Sequence, residues 1–249
     1  MMNEHSNVCY PNSDSRGSAE SKIFAALKGS NLNLVVKQMD EDKVVVVGLI
    51  SDTHGVVEEA ALQALKRATD TIIHAGDVGD KNYKSRLSAE QIIAHLQRGT
   101  NKSIVAVSGN VDEGHADLPH SVSLAIHGKN ILVEHICGFP PKKELEERVI
   151  ASCIDIVVFG HSHVPGVWWH NNALYVNPGS AGPRRFKLPR CIAFLMIHST
   201  GDVEVEFTPI DSLPQDRIGL PSPFKIPTKF HGKSDERNEV KETAKDHNK

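Results

Sequence analysis

The chain has 249 residues, of which 39% are hydrophobic and 24% charged, and its formal net charge is −3 with a pI near 6.5. That length allows one sizeable globular domain with ragged ends, or two small ones. The slightly acidic balance leaves no basic field to recruit nucleic acid or an anionic membrane, and no apolar run approaches the roughly 20 residues that span a bilayer.

Residues 1–40 read as an N-terminal extension, largely disordered. Its first part is rich in Ser and Asn with little periodic apolar content. The stretch SKIFAALKGSNLNLVV could add one short amphipathic helix and a strand. Glu4, Asp14 and Glu20 and the lack of an apolar core make it a poor signal peptide and a poor transit peptide, so a cytoplasmic location is expected.

A domain is predicted over residues 44–210. It opens on an unbroken Val, Leu and Ile run from Val44 to Ile50, which reads as a central strand buried on both faces. The run feeds into Ser51-Asp52-Thr53-His54-Gly55. In extended backbone, residues two apart point to the same side, so Asp52 and His54 can converge just past a strand end. The helix VVEEAALQALKRATD follows, with acids early and bases late. Next comes the strand Thr71-Ile72-Ile73-His74, ending in Ala75-Gly76-Asp77-Val78-Gly79-Asp80. Strand, motif, helix, strand, motif is a βαβ unit with its polar groups at one sheet edge.

LSAEQIIAHLQ predicts a second helix, N-capped by Ser88 and ending near Gly99. The strand Ile104 to Val107 runs into Ser108-Gly109-Asn110-Val111-Asp112. Residues 121–126 and 131–135, joined by His127-Gly128-Lys129-Asn130, read as a hairpin that runs out at His135. LEERVIAS is a third helix. The buried strand Asp155 to Phe159 ends in Gly160-His161-Ser162-His163. A tight hairpin turn is predicted at Asn171-Asn172, between strands 167–170 and 173–176. The second of these ends in Asn177-Pro178-Gly179-Ser180. Strands 191–197 and 203–207 follow, and residues 211–249 read as a Pro-rich, then charged, disordered tail. A βαβ first half and a hairpin-rich second half predict an α/β fold, a four-layer αββα sandwich of two mixed sheets packed face to face with helices outside. Cys9, Cys137, Cys153 and Cys191 lie far apart without CxxC spacing and read as reduced, packed thiols.

The strand ends carry Asp52 and His54, Asp77, Asn110, His135, then His161 and His163. Carboxylates, a carboxamide and imidazoles without thiolate suit Mn, Fe, Zn or Ni. Two metals need a bridging oxygen, and Asp77 is placed for it. Asn110 offers a neutral oxygen, which limits negative charge toward an anionic substrate.

The ordered set D-x-H, G-D-x-x-D, G-N, a lone strand-end His and G-H-x-H resembles the calcineurin-like metallophosphoesterases, over residues 44–208. HAGD, GNVD, GHSHVP and NPGS are most similar to the small phosphodiesterase branch, which shares its fold with the retromer subunit Vps29. The resemblance implies one metal held by Asp52, His54, Asp77 and His163, and another by Asp77, Asn110, His135 and His161. It implies two divalent ions, Mn before Fe, Zn or Ni, and a hydroxide between them attacking the phosphorus of a small phosphate ester. Asn110 and His135 would take part in catalysis, with Asp112 acting from behind the ligands. Many relatives carry His after the motif Asn, where this chain has Val111, so diesters or activated leaving groups are expected over monoesters. The run His135-Ile136-Cys137 departs from the branch's His-Gly and puts His135's aim in question.

Other positions keep two readings. Asp80 and Asp112 orient ligands or are turn residues. His74 packs beneath the site or is an ordinary buried histidine. Arg184 or Arg185 binds phosphate or caps a loop. Trp168 and Trp169, on opposite strand faces, place at most one ring in a substrate groove. Cys137 touches the site or fills the core. His115, His120, His127, His170 and His198 are read as surface or structural. The rival function is a non-catalytic, Vps29-like scaffold, for which a complete ligand set has no use.

Overall fold

The computed structural model describes residues 43–80, 86–112, 117–185, 187–211 and 224–226. The expected N-terminal extension lies outside these residues. The described chain is two stacked sheets with helices on both outer faces, the αββα sandwich predicted.

The first sheet holds six strands in the order β11-β10-β9-β1-β2-β3. Here β1 is Val44–Ile50, β2 Thr71–His74, β3 Ser103–Ala106, β9 Cys191–His198, β10 Val203–Pro209 and β11 Phe224–Ile226. β1, β2 and β3 are parallel, so their C-terminal ends share one edge. The second sheet is β4 (Ser121–Ile126), β5 (Lys129–Glu134), β6 (Ile156–Val158), β8 (Ala173–Asn177) and β7 (Gly166–His170), in that spatial order. It is less hairpin-like than expected: β6 runs parallel to both of its neighbours.

Side-chain alternation builds three apolar layers. Leu49, Ile73 and Val107 meet Ile131, Val133, Val158 and Val176 between the sheets. Their neighbours Ile50 and Ile72 face outward, toward α1 (Glu59–Leu65) and α2 (Ala89–Thr100), through Leu65, Ile92 and Leu96. Leu132, Val157 and Tyr175 face α3 (Lys143–Ala151) through Leu145 and Val149. Each fully buried Leu or Ile contributes about 1.5–3 kcal/mol of hydrophobic transfer.

Several local expectations are corrected. α1 is only seven residues long; past it the chain tightens into turns, Arg67 N–H donating to Ala64 O and Ala68 N–H to Leu65 O, and Arg67 pairs with Glu206 over the Phe194 ring. Ser88 does cap α2, in a reciprocal box with Gln91. Gly99 does lie near its C-terminus: the helix runs to Thr100, and Asn101, in left-handed backbone, closes it. The β4–β5 turn is the two-residue His127-Gly128, since Lys129 and Asn130 already belong to β5. Phe224–Ile226, assigned to the disordered tail, pairs with β10 as an edge strand. Cys137 and Cys191 are free and buried, whereas Cys153 is disulfide-bonded. No helix among the described residues is long and apolar enough to cross a membrane.

Candidate metal centre

The loops after β1, β2, β3, β5 and β6 converge at one end of the sandwich. Backbone bonds lace the first two together: Asp52 N–H donates to Gly76 O at 3.0 Å and His54 N–H to Asp77 O at 2.9 Å. The second sheet joins through His135, whose Nδ1 lies 2.7 Å from Ala75 O. That bond turns Nε2 toward Asp77, 3.3 Å away. The Ile136-Cys137 departure therefore leaves the aim of His135 intact. Cys137 turns aside, its Sγ donating to Gly138 O, and burial pushes its thiol up to about 12.

The route by which Asp52 and His54 converge differs from the expectation. Neither is extended. Asp52 (φ 53°), His54 (φ 46°), Asp77 (φ 50°), His161 (φ 67°) and His163 (φ 60°) all adopt left-handed backbone. Each such non-glycine residue costs on the order of 1–3 kcal/mol, and the surrounding fold must hold it there. Much of that hold comes from the NPGS loop. Ser180 Oγ donates to Asp52 O at 3.1 Å, and Asn177 Nδ2 donates to Gly160 O at 2.9 Å and Ser162 Oγ at 3.0 Å.

Two clusters result, Asp52-His54-His163 and Asp77-His135-His161, each with its ligand atoms within 4.8 Å of one another. Asp77 joins them: its Oδ1 faces His135, and its Oδ2 lies 3.8 Å from His54 Nε2. Asn110 Oδ1 sits 3.0 Å from His161 Nδ1, at the second cluster. The fold thus brings all seven expected ligands together. Six of them are imidazoles or carboxylates and one is a carboxamide, donors suited to borderline divalent ions. Among the described residues, buried Asp52 Oδ1 and His135 Nε2 make no hydrogen bond of good geometry, although His163 Nε2 lies 3.2 Å from the first and Asp77 Oδ1 3.3 Å from the second. A buried polar atom left unpaired is costly, and a cation would satisfy both. The residues fit divalent metal.

The electrostatics agree. Burial pushes His54 below its ordinary pKa, which keeps its lone pair free. Burial would raise Asp77, but His135, the Val111 N–H and His54 outweigh it and hold the carboxyl at about 2. Burial likewise opposes protonation of His135, yet Asp77 beside it raises its pKa overall.

The neighbours sort into distinct roles. Asp112 accepts from the backbone N–H groups of Val78, Gly79 and Gly109, each at 2.9 Å. It pins the Asp77 and Asn110 loops together from behind the ligand positions, which is a positioning role. Asp80 pairs with Arg86. Trp168 stacks on Phe139 on the outer, α3 side. Arg184 binds Asp211, whereas exposed Arg185 reaches inward, its Nη2 3.2 Å from His54 Nε2. His74 lies beneath the site, its Nε2 2.9 Å from Thr53 Oγ1. Sequence reasoning missed Ser51, whose hydroxyl donates to Asp52 Oδ2 at 2.7 Å. It also missed the anchoring role of Asn177. A small polar residue beside each ligand motif was the available signal.

The motif glycines are packing requirements. A Cβ on Gly109 would stand 2.1 Å from Asp77 Oδ1, and one on Gly160 would stand 2.0 Å from Ser51 Oγ. Each motif is thus seated against the ligand of another.

Residues 45–200 match the calcineurin-like phosphoesterase superfamily domain. A probable metallophosphoesterase of Methanocaldococcus jannaschii is 30% identical over 177 residues, 67% of this chain and 82% of that protein. A second, from Methanothermobacter thermautotrophicus, is 25% identical over 168 residues, 64% of this chain and 91% of that one. Among solved structures, Vps29 of Entamoeba histolytica complexed with zinc has a TM-score of 0.55 at 19% identity, covering 74% of this chain and 99% of its own. A predicted phosphoesterase of Streptococcus pneumoniae has a TM-score of 0.53 at 21% identity, covering 74% and 99%. At those identities the two structures speak for the fold alone. The family match spans most of the described domain and contains all seven converging ligands: this chain belongs to the calcineurin-like phosphoesterase superfamily.

Proposed function

We propose that the protein is a two-metal hydrolase of small phosphate esters, with diesters or activated leaving groups favoured over monoesters. The observation that carries this is Asp77 between two clusters, one carboxylate oxygen turned to each. Two divalent ions bound there, with manganese the first choice, would supply Lewis acidity and an ionised water as nucleophile. Asp77 stays charged through the working pH range and so serves both clusters. Buried His54, its pKa lowered by burial, offers a neutral nitrogen, and buried His163 stands beside it. Arg185, at the rim beside His54, offers two parallel N–H donors to phosphate oxygens. Val111 follows Asn110 and cannot transfer a proton, which supports the bias toward leaving groups that depart unaided.

The alternative, a non-catalytic scaffold, draws on the structural likeness to Vps29. The complete donor set speaks for the enzyme. The test is metal stoichiometry together with rates on a diester and monoester panel in Mn²⁺ or Ni²⁺, wild type beside Asn110→Ala. Two metals per chain and diester hydrolysis, crippled in the variant, are expected. No turnover of bis(p-nitrophenyl) phosphate across pH would refute the enzyme reading.

A further inference from the structure

A cavity of about 210 Å³ opens beside the second cluster, with Asn110 and His135 in its wall. Its other walls include His120, Glu134, Ile136 and Arg148. None of these belongs to the ligand set. Glu134 and Arg148 are paired with each other, and Ile136 is 54% exposed. His120 is held against the Asn110 loop from the start of β4. Ser108 N–H donates to Pro119 O at 2.8 Å, and His120 Nδ1 lies 3.1 Å from Ser108 Oγ. The Ser108 hydroxyl in turn reaches Pro119 O at 3.5 Å. With that hydroxyl donating to Pro119, its oxygen accepts from Nδ1–H. Nε2 is then the ring nitrogen without a hydrogen bond among the described residues.

The geometry points to this cavity as the leaving-group pocket and to His120 as the acid that protonates the departing oxygen. This rests on the phosphoesterase reading. An alkoxide is too basic to leave unprotonated, since its parent alcohol is about as weak an acid as water. Val111 carries no proton to give, and the imidazoles of the ligand set are committed. His120 is the remaining imidazole of the cavity wall. The bond from phosphorus to the leaving oxygen breaks, and its electron pair stays on that oxygen. The oxygen takes the Nε2 proton of the His120 imidazolium as hydroxide, formed from a water whose proton has passed to solvent, makes the new bond to phosphorus. His120 ends neutral and regains its proton from solvent. The Glu134–Arg148 pair opposite the Ile136 face suits an alcohol with hydroxyls on one side and carbon on the other, such as a glycerol or a pentose.

His120→Gln keeps a neutral side chain against Ser108 but cannot act as an acid. It is compared with wild type on bis(p-nitrophenyl) phosphate, whose leaving group departs as a stable anion, and on glycerophosphocholine, whose leaving groups are alkoxides. The variant should lose about 100-fold or more on the alkyl diester while keeping its p-nitrophenyl rate within about threefold, the margin of a group idle in that reaction. Equal losses on both substrates, or none on either, overturn the assignment. Wild type inactive on both overturns the phosphoesterase reading with it, whereas wild type active with an indifferent variant overturns His120 alone. A second readout is independent of turnover. The His120 ring proton resonance of the metal-loaded protein should shift with glycerol 3-phosphate and stay fixed with inorganic phosphate. A resonance unmoved by both sinks the pocket assignment, including in the case where His120→Gln fails to fold.

Discussion

Gly109 and Asp77 lie so close that a methyl group on the first would overlap the carboxylate of the second, at 2.1 Å from Oδ1 and 2.2 Å from the backbone nitrogen. Nothing there can yield, since the nearest atoms are a left-handed backbone and the ligand itself. Gly109→Ala should therefore push Asp77 off the line between the clusters. The expected outcome is loss of metal by elemental analysis, with far-ultraviolet circular dichroism unchanged. A variant that keeps two metals per chain would show that Asp77 is not held by this contact.

That contact also marks how far the sequence could be read. Apolar runs ending in Asp, Asn or His announce strands and their polar edge, because burial on both faces leaves no other pattern. So the two sheets, their helices and the ligand positions were legible. Left-handed backbone at Asp52, His54 and Asp77 was not, because it is imposed by hydrogen bonds from distant loops such as Ser180 to Asp52. Arg184 and Arg185 are adjacent and chemically identical; only the position of Asp211 separates the loop clamp from the cation at the site. β11 was hidden because a three-residue edge strand among prolines has no periodicity to detect.

Arg185 is therefore expected to act on the substrate anion. Charge-assisted hydrogen bonds contribute about 1.5–3 kcal/mol, so Arg185→Met should weaken inhibition by inorganic phosphate by roughly 10- to 100-fold and raise KM. Metal content should not change, because the guanidinium is no ligand. Titration calorimetry with phosphate on the metal-loaded protein measures this. Unchanged phosphate affinity would reduce Arg185 to a rim residue.

His74 predicts a pH dependence of stability. The ring is fully buried, and burial drives its pKa down to about 3 from an ordinary 6.5. Between those values the unfolded chain binds a proton that the folded chain refuses. Stability is therefore complete above about 6.5 and falls as pH drops toward 3, with a limiting slope near 1.4 kcal/mol per pH unit. His74→Gln can still donate to Thr53 but does not titrate. In chelator-treated protein, denaturant unfolding at stepped pH should show a shallower acid slope for the variant by up to one proton. Parallel slopes would mean that His74 is protonated in the folded state.

Val111 offers the converse test of the substrate bias. Its N–H donates to Asp77 Oδ1 at 3.0 Å, so the backbone is fixed by the ligand while the half-buried side chain can change. Val111→His places an imidazole next to Asn110 without altering that bond. General-acid assistance contributes about 10²–10⁴-fold when aligned. Made in the His120→Gln background, the change should therefore restore monoester and alkyl-diester rates, while the rate on bis(p-nitrophenyl) phosphate stays near that of His120→Gln. The ratio of the two rates is the quantity to measure, since it cancels any change in metal loading. If the ratio holds at its His120→Gln value, an imidazole beside Asn110 delivers no proton to the leaving group, and the preference for easily departing groups must come from how the substrate is bound.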